Sequence, residues 1–316
     1  MRIAVAALLL LYAAAVSAAG AQWLPRAAWP LRAPRAGIAT WLASSLSVAV
    51  SLAGAGLILA IPCAQVSTHA VMLRECLSLL RAQYASPAGA AAGAAGGLLA
   101  LGVLGRVAWF SGKTMAGARR RRAAHDSAVA ILARPGPAAD VRIIDSDRPA
   151  VYCLPGRGRI VLTTGVLTCL DSGQLDAVLA HERAHLSERH HLVLAFAGVL
   201  QDTFPAIGFF AVAARQVTYL VEVAADDAAV RRSPRLTVAA ALLAVAAAGA
   251  PAGALGAGGS AAALRISRLI DPPPGDSRGR RAVTAAALAA ATGLAIAVLA
   301  LAYVTITRCS AELYSW

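Results

Sequence analysis

Hydrophobic positions along the chain fall into long unbroken runs toward its two ends and into short periodic pieces between them. Residues 3–19 (IAVAALLLLYAAAVSAA), 37–61, 88–110 and 282–304 are the long runs. The second has no charge over 25 residues, and at about 1.5 Å per residue it is long enough to cross a hydrocarbon core of about 30 Å. The third contains GAAAGAAGG, small residues that let helices approach closely. Residues 3–19 end in an A-x-A-like pattern that also fits a cleaved signal peptide, but Arg2 is a weak start and Arg26, Arg32 and Arg35 come directly after. An uncleaved first span is the favoured reading.

Between about 123 and 281 the texture becomes that of a folded domain. VRII at 141–144 and RIVLTT at 159–164 read as strands, with AVYCL at 150–154 as an edge strand beside them and Pro149 and Pro155-Gly156 marking turns. Asp171 with Gln174 resembles a capping box opening a helix whose apolar stripe is Leu175, Val178, Leu179 and Leu186. Residues 192–214 are long enough to span, yet Asp202 and Pro205 interrupt them, so two short helices forming a hairpin at or against the membrane are expected. A separate helix is expected over 216–232, ending in Arg231-Arg232 before Pro234. The Ala-rich stretch 236–256 reads as a buried core helix more than a span, and Pro272 to Gly275 as a stiff linker.

The charges orient these pieces. Arg26, Arg32 and Arg35 against Arg2 place the N-terminus outside and the next loop in the cytoplasm. The chain returns outward through 37–61, the connector 64–87 reads as an amphipathic helix at the outer surface, and 88–110 crosses back. Lys113 and the run Arg119 to Arg122 then hold the next segment in the cytoplasm, and Arg278, Arg280 and Arg281 mark the same side before 282–304. The expected layout is a three-span membrane region at 1–112, a cytoplasmic domain at 113–281, a fourth span at 282–304 and a short outer tail at 305–316. The fold class is thus an α-helical, multi-pass plasma-membrane protein of about four transmembrane helices, with a cytoplasmic α+β domain between spans three and four.

Composition agrees. The chain is 59% hydrophobic with mean hydropathy +0.65, against about 45–50% apolar for ordinary soluble proteins. A net charge of +13 could suggest nucleic acid, but the basic residues gather at the ends of apolar runs, so a lipid bilayer is the expected partner and direct nucleic-acid binding is not expected. No two of the five cysteines have zinc-ribbon spacing. Cys63, Cys76 and Cys309 fall on the expected outer side, where a Cys63–Cys76 bridge is open, and Cys153 and Cys169 on the cytoplasmic side.

The chemistry lies in His181-Glu182-Arg183-Ala184-His185. Histidines four apart on a helix project from one face, so both imidazoles can bind one Zn²⁺ while Glu182 takes a proton from the attacking water. This is the H-E-x-x-H pattern, for which a solvated helix that happens to carry histidines is the competing reading. His190 and His191 are placed at a solvated helix end, since His190 on a continuous helix points well away from the His181/His185 face. A third ligand is better sought in Glu222-Val223-Ala224-Ala225-Asp226, where Glu222 and Asp226 share a face and one can bind the metal while the other holds a ligating histidine. This requires Glu222 on the same side of the membrane as His181, which a full crossing at 192–214 would forbid.

The run from Pro149 through LDAVLAHERAHLSERHH, FPAIGFF and EVAAD resembles the integral-membrane zinc metallopeptidases of the BlaR/MecR antirepressor type, and is similar to the related membrane endopeptidases of the HtpX/Ste24 group. The resemblance covers about residues 113–275. It implies a gluzincin-type endopeptidase with one Zn²⁺ per chain held by His181, His185 and Glu222, with Glu182 as general base and Asp226 orienting a ligand. It also implies a protein or peptide substrate, of which a repressor-type transcriptional regulator is one. The outer penicillin-binding sensor of the BlaR/MecR type has no counterpart in the 12 residues after the last expected span, so beta-lactam sensing does not carry over. Tyr219 and Arg232 are candidate oxyanion donors, with a core tyrosine and a helix-end arginine as the plainer readings, and the strand at 150–154 is positioned to hold an extended substrate. An HtpX-like quality-control protease, a zinc-binding signalling scaffold that does not cleave, and a metal transporter are the competing functions.

Overall fold

The apolar runs become helices whose ends are set by prolines and arginines. The computed structural model describes residues 2–61, 80–249 and 257–272. The expected fourth span at 282–304, the tail at 305–316, most of the connector 64–87 and Cys63, Cys76 and Cys309 lie outside the described residues.

Among the described residues three helices are long and apolar enough to cross a membrane: α1 (Arg2–Trp23), α3 (Pro34–Ala60) and α4 (Pro87–Leu132). The short α2 (Trp29–Arg32) sits between the first two. Prolines 34 and 87 open α3 and α4, where a missing N–H costs nothing, and Ser86 caps α4 by accepting from the Gly89 amide at 3.1 Å. With 46 residues, α4 is about 69 Å long, so it continues past the expected span through Lys113 and Arg119 to Arg122 and is still helical at Leu132. α3 and α4 cross at Gly56 and Gly96. A Cβ on Gly56 would lie 2.7 Å from the backbone of Gly96 and Ala100, and one on Gly96 would lie 2.6 Å from the Gly56 carbonyl. Gly96→Leu should therefore separate the pair and lower the melting temperature in detergent, whereas the same substitution at Gly102, whose Cβ position is open, should leave it unchanged.

The polar domain begins with a four-stranded sheet in the order β1-β2-β4-β3, made of β1 (Ala133–Pro135), β2 (Val141–Ile144), β3 (Val151–Leu154) and β4 (Arg159–Thr163). β2 and β4 are parallel, and β1 and β3 run antiparallel at the two edges. The strands expected at 141–144, 150–154 and 159–164 are thus present, with the middle one at an edge. After α5 (Thr164–Cys169) comes α6 (Ser172–Ser187), which carries the H-E-x-x-H residues and opens with the expected capping box: Asp171 accepts from the Gln174 amide at 2.8 Å, and the Gln174 side chain accepts from the Asp171 amide at 3.1 Å. Leu179 of α6 packs on Val141, Ile160, Leu162 and Val166, with Leu175 and Leu186 at the margin. The neighbouring face meets α9 (Arg235–Gly249) and α10 (Ala257–Ile270): Ala177, Ala180, Val238, Ala241 and Leu269 form one cluster. The stretch expected as a core helix from 236 does bury one face.

Two expectations change. α7 (His190–Thr203) and α8 (Gly208–Val230) form the hairpin, but α8 is one 23-residue helix and does not break near 215. Pro205 acts only in the turn before it. The helices α6 and α7 are also separate, because Arg189 adopts a left-handed conformation (φ 52°) that ends one and starts the other. The hairpin packs among the apolar helices, with Phe209, Phe210, Val217 and Leu220 of α8 against Ile38, Trp41 and Val48 of α3. Arg106 of α4 fixes its tip by donating to the carbonyls of Thr203 at 2.7 Å and Asp202 at 2.9 Å. Those carbonyls end α7 without helical partners, so the guanidinium satisfies them. The turn at 204–207 also brings α8 back alongside α6.

Candidate metal centre

α6 and α8 lie side by side and present three ligand types to one point. One atom from each of His181, His185 and Glu222 falls within 4.8 Å of the others. The two imidazole Nε2 atoms are 3.1 Å apart, Glu222 Oε2 is 3.6 Å from His181 Nε2, and Glu222 Oε1 is 3.6 Å from His185 Nε2. Two atoms at about 2.05 Å from a tetrahedral zinc are about 3.3 Å apart. The donor set and its spacing therefore fit that ion, and no large rearrangement is needed to close on it.

The electrostatics favour a cation at the same point. His181 Nδ1 lies 3.0 Å from Asp226 Oδ1, and Asp226 is only 1% exposed. Burial would lower the His181 value, but the Asp226 and Glu222 carboxylates outweigh it and hold the ring up at about 9. His185 is brought down to about 4, first by burial and then by the charge on His181. The pocket thus keeps one positive charge between its two imidazoles, where a divalent ion would satisfy the carboxylates instead. Burial raises the Glu182 carboxyl above its ordinary range, Glu222 adds to this, and His181 opposes it. A carboxylate so placed exchanges protons more readily near neutral pH than an exposed glutamate.

Around these groups the structure adds residues that spacing alone did not reveal. Arg265 of α10 forms a two-bond fork with Asp226, both at 2.7 Å, and its third nitrogen is 2.9 Å from Glu222 Oε2. Arg268, one turn on, pairs with Asp227 at 2.8 Å and donates to the Leu31 carbonyl. Arg183 within the H-E-x-x-H segment forks onto Asp140 at 2.8 and 3.0 Å, which fixes α6 against the loop before β2. Cys153 of the edge strand β3 faces Glu182, and burial together with that carboxylate's charge pushes its thiol up to about 12. It is a neutral neighbour of Glu182 and not a reactive thiolate.

His190, expected at a solvated helix end, is instead 3% exposed, with its Nδ1 3.1 Å from Nδ1 of His185. The left-handed Arg189 turns the chain so that the first residue of α7 folds back under α6. His191 is half-buried, and its Nδ1 has no hydrogen-bond partner. Tyr219 is half-buried one turn before Glu222, where burial raises its hydroxyl. Arg232 is exposed just past the end of α8, and ten residues beyond Glu222 it is about 15 Å along the helix axis from the centre.

Residues 116–256 match the model of peptidase family M48. The protease HtpX homolog of Aquifex aeolicus (strain VF5) is 33% identical over 78 residues, 24% of this chain and 25% of that protein. The protease HtpX homolog of Acidiphilium cryptum (strain JF-5) is 32% identical over 79 residues, 24% of this chain and 28% of that protein. The chain thus spans about a quarter of the length of these curated relatives. No solved structure matches significantly. His181, Glu182, His185, Glu222 and Asp226 all lie inside the segment that is similar to peptidase family M48.

Proposed function

We propose that this protein is a membrane-embedded zinc endopeptidase. The observation that carries the reading is the convergence of His181, His185 and Glu222 within 4.8 Å beside a half-buried carboxylate whose proton affinity is raised, inside a segment similar to peptidase family M48. In this reading His181 and His185 give their Nε2 atoms and Glu222 a carboxylate oxygen to one Zn²⁺, and Asp226 holds His181 by Nδ1–H. The ion when bound supplies Lewis acidity toward a carbonyl and toward water. Glu182 removes the proton from the attacking water and delivers it to the leaving amine, a role for which its burial suits it. β3, the outermost strand of the sheet among the described residues, with Cys153 facing Glu182, would offer backbone groups to an extended protein or peptide segment and bring a scissile bond past the base.

Treating the detergent-solubilised protein with a strong zinc chelator should abolish cleavage of an unfolded casein, and one equivalent of Zn²⁺ should restore it. Activity that survives complete zinc removal would contradict the reading. For topology we propose α1, α3 and α4 as spans, with the centre on the cytoplasmic side of a plasma membrane. Lys113 and Arg119 to Arg122 come after the apolar part of α4 and support that orientation. Fusions truncated after residue 140 should give fluorescent green fluorescent protein and inactive alkaline phosphatase, and the opposite pattern would reverse the orientation. A repressor-type regulator as the natural substrate rests on the BlaR/MecR resemblance alone. It predicts loss of the intact regulator from induced cells, but not from cells carrying Glu182→Gln.

A further inference from the structure

The two histidines of the centre are supported in different ways. A neutral imidazole that gives Nε2 to a metal keeps its hydrogen on Nδ1, and that hydrogen must find an acceptor for the ring to be held in place. For His181 the acceptor is Asp226, directly, at 3.0 Å. For His185 the atom opposite is another imidazole nitrogen, Nδ1 of His190, at 3.1 Å. His190 Nδ1 accepts only if its own hydrogen sits on Nε2. That nitrogen is 3.4 Å from Glu188 Oε2. The Glu188 carboxylate is in turn gripped by the guanidinium fork of Arg35, with Nε at 2.8 Å from Oε2 and a second nitrogen on Oε1.

Each donor in this series has an acceptor within reach, and the loosest step is the 3.4 Å from His190 Nε2 to Glu188. We propose that Glu188 and His190 are positioning residues that lock His185 in its metal-binding tautomer, and that Arg35 links them to the first turn of the membrane helix α3. The inference rests on the zinc reading given above. It extends that reading from the ligands to a chain of side chains running from the membrane region to one face of the centre. Because the left-handed turn at Arg189 is what brings His190 under His185, the link is built into the junction of α6 and α7. Two of its members, Glu188 and Arg35, are partly solvent-exposed, at 24% and 50%. The terminal pair therefore contributes less than the buried His190–His185 contact.

Asparagine places an oxygen where a histidine has Nδ1, whereas glutamine reaches the place of Nε2. Zinc affinity is measured by competition with a chelating dye on the full detergent-purified chain, and the visible spectrum of the Co²⁺-substituted protein is recorded beside it. His190→Gln should weaken zinc about 10- to 100-fold and alter the Co²⁺ bands. His190→Asn should stay within about threefold of wild type with unchanged bands, since its oxygen still accepts from His185. Arg35→Gln should weaken zinc by a smaller factor, and that factor should vanish in the His190→Gln background. Equal losses in His190→Asn and His190→Gln would indicate a merely structural role and overturn the proposal, as would no loss in His190→Gln. An Arg35 effect that persists undiminished in His190→Gln would remove Arg35 from the chain of contacts. A folded wild-type protein without zinc affinity would overturn the zinc reading itself and this inference with it.

Discussion

Replacing Glu182 by glutamine is expected to lower kcat by about 10²- to 10⁴-fold, the range that a positioned general base contributes, while the protein keeps its zinc. The substitution preserves the size and hydrogen-bonding reach of the side chain but removes its ability to take a proton. Glu182 is not one of the three groups that converge, so the metal should be retained. Burial and the neighbouring Glu222 charge raise the carboxyl, and the amide removes that electrostatic load. Glu182→Gln should therefore be folded and no less stable than wild type, which separates a chemical loss from a structural one. Single-turnover cleavage of a fluorogenic peptide together with zinc content measures both. If Glu182→Gln cleaves at the wild-type rate, Glu182 is not the base. If it loses zinc together with activity, the division of labour between ligand and base is wrong.

The largest effect on stability is expected at Arg265. Its fork onto Asp226 is nearly excluded from water, with side-chain exposures of 11% and 1%, and the same guanidinium reaches Glu222 at 2.9 Å. Arg265→Met would leave the Asp226 and Glu222 carboxylates with His181 but without the guanidinium that bridges them. Removing one partner of a buried pair typically costs about 3–5 kcal/mol, and denaturant unfolding of the metal-free protein should show a loss of that order. Combining it with Asp226→Asn should recover part of the loss, because the amide oxygen can still accept from His181 while one of the stranded charges is gone. The pH dependence has a definite sign. Burial would raise the Asp226 carboxyl, but the Arg265 fork and His181 outweigh it and hold it at about 2 against an ordinary 3.8. A depressed value contributes stability that is present in full above about pH 4 and disappears as pH falls toward 2. Arg265→Met should flatten that acid limb. If Arg265→Met and wild type unfold at the same denaturant concentration, the fork is not holding α10 to the centre.

Much of the centre is legible in the sequence because the features that build it are local. The capping box at Asp171 and Gln174, the i,i+4 pair His181/His185 and the i,i+4 pair Glu222/Asp226 each lie within one or two helical turns, and each is found where the periodicity puts it. The strands at 141–144 and 159–163 are legible for the same reason, since β-branched runs bounded by turns form with little help from distant residues. The fate of His190 is not. It depends on the left-handed Arg189, and no glycine, asparagine or proline marks that break between α6 and α7. The continuity of α8 is hidden because 192–214 reads as two short helices divided at Pro205 and 216–232 as a separate helix, whereas Pro205 acts only in the turn before one helix.

Arg265 and Arg268 lie beyond sequence-local reasoning in another way. Their partners, Asp226 and Asp227, are 39 and 41 positions away, and a pairing at that distance is decided by how α10 docks. A signal is present all the same. Two arginines three apart in the otherwise apolar segment AAALRISRLI are costly to bury unless carboxylates await them, and adjacent aspartates on a helix already assigned to the site are such carboxylates.

The central claim is that His181, His185 and Glu222 hold one zinc ion. Its most direct test is the metal content of the folded, detergent-purified chain by mass spectrometry, for wild type and for Glu222→Ala after dialysis against a weak chelator. One zinc per wild-type chain and less than about a tenth of that in the variant is the predicted result, since two imidazoles alone make an incomplete site. Zinc at the same level in both proteins, or none in a folded wild type, would contradict it.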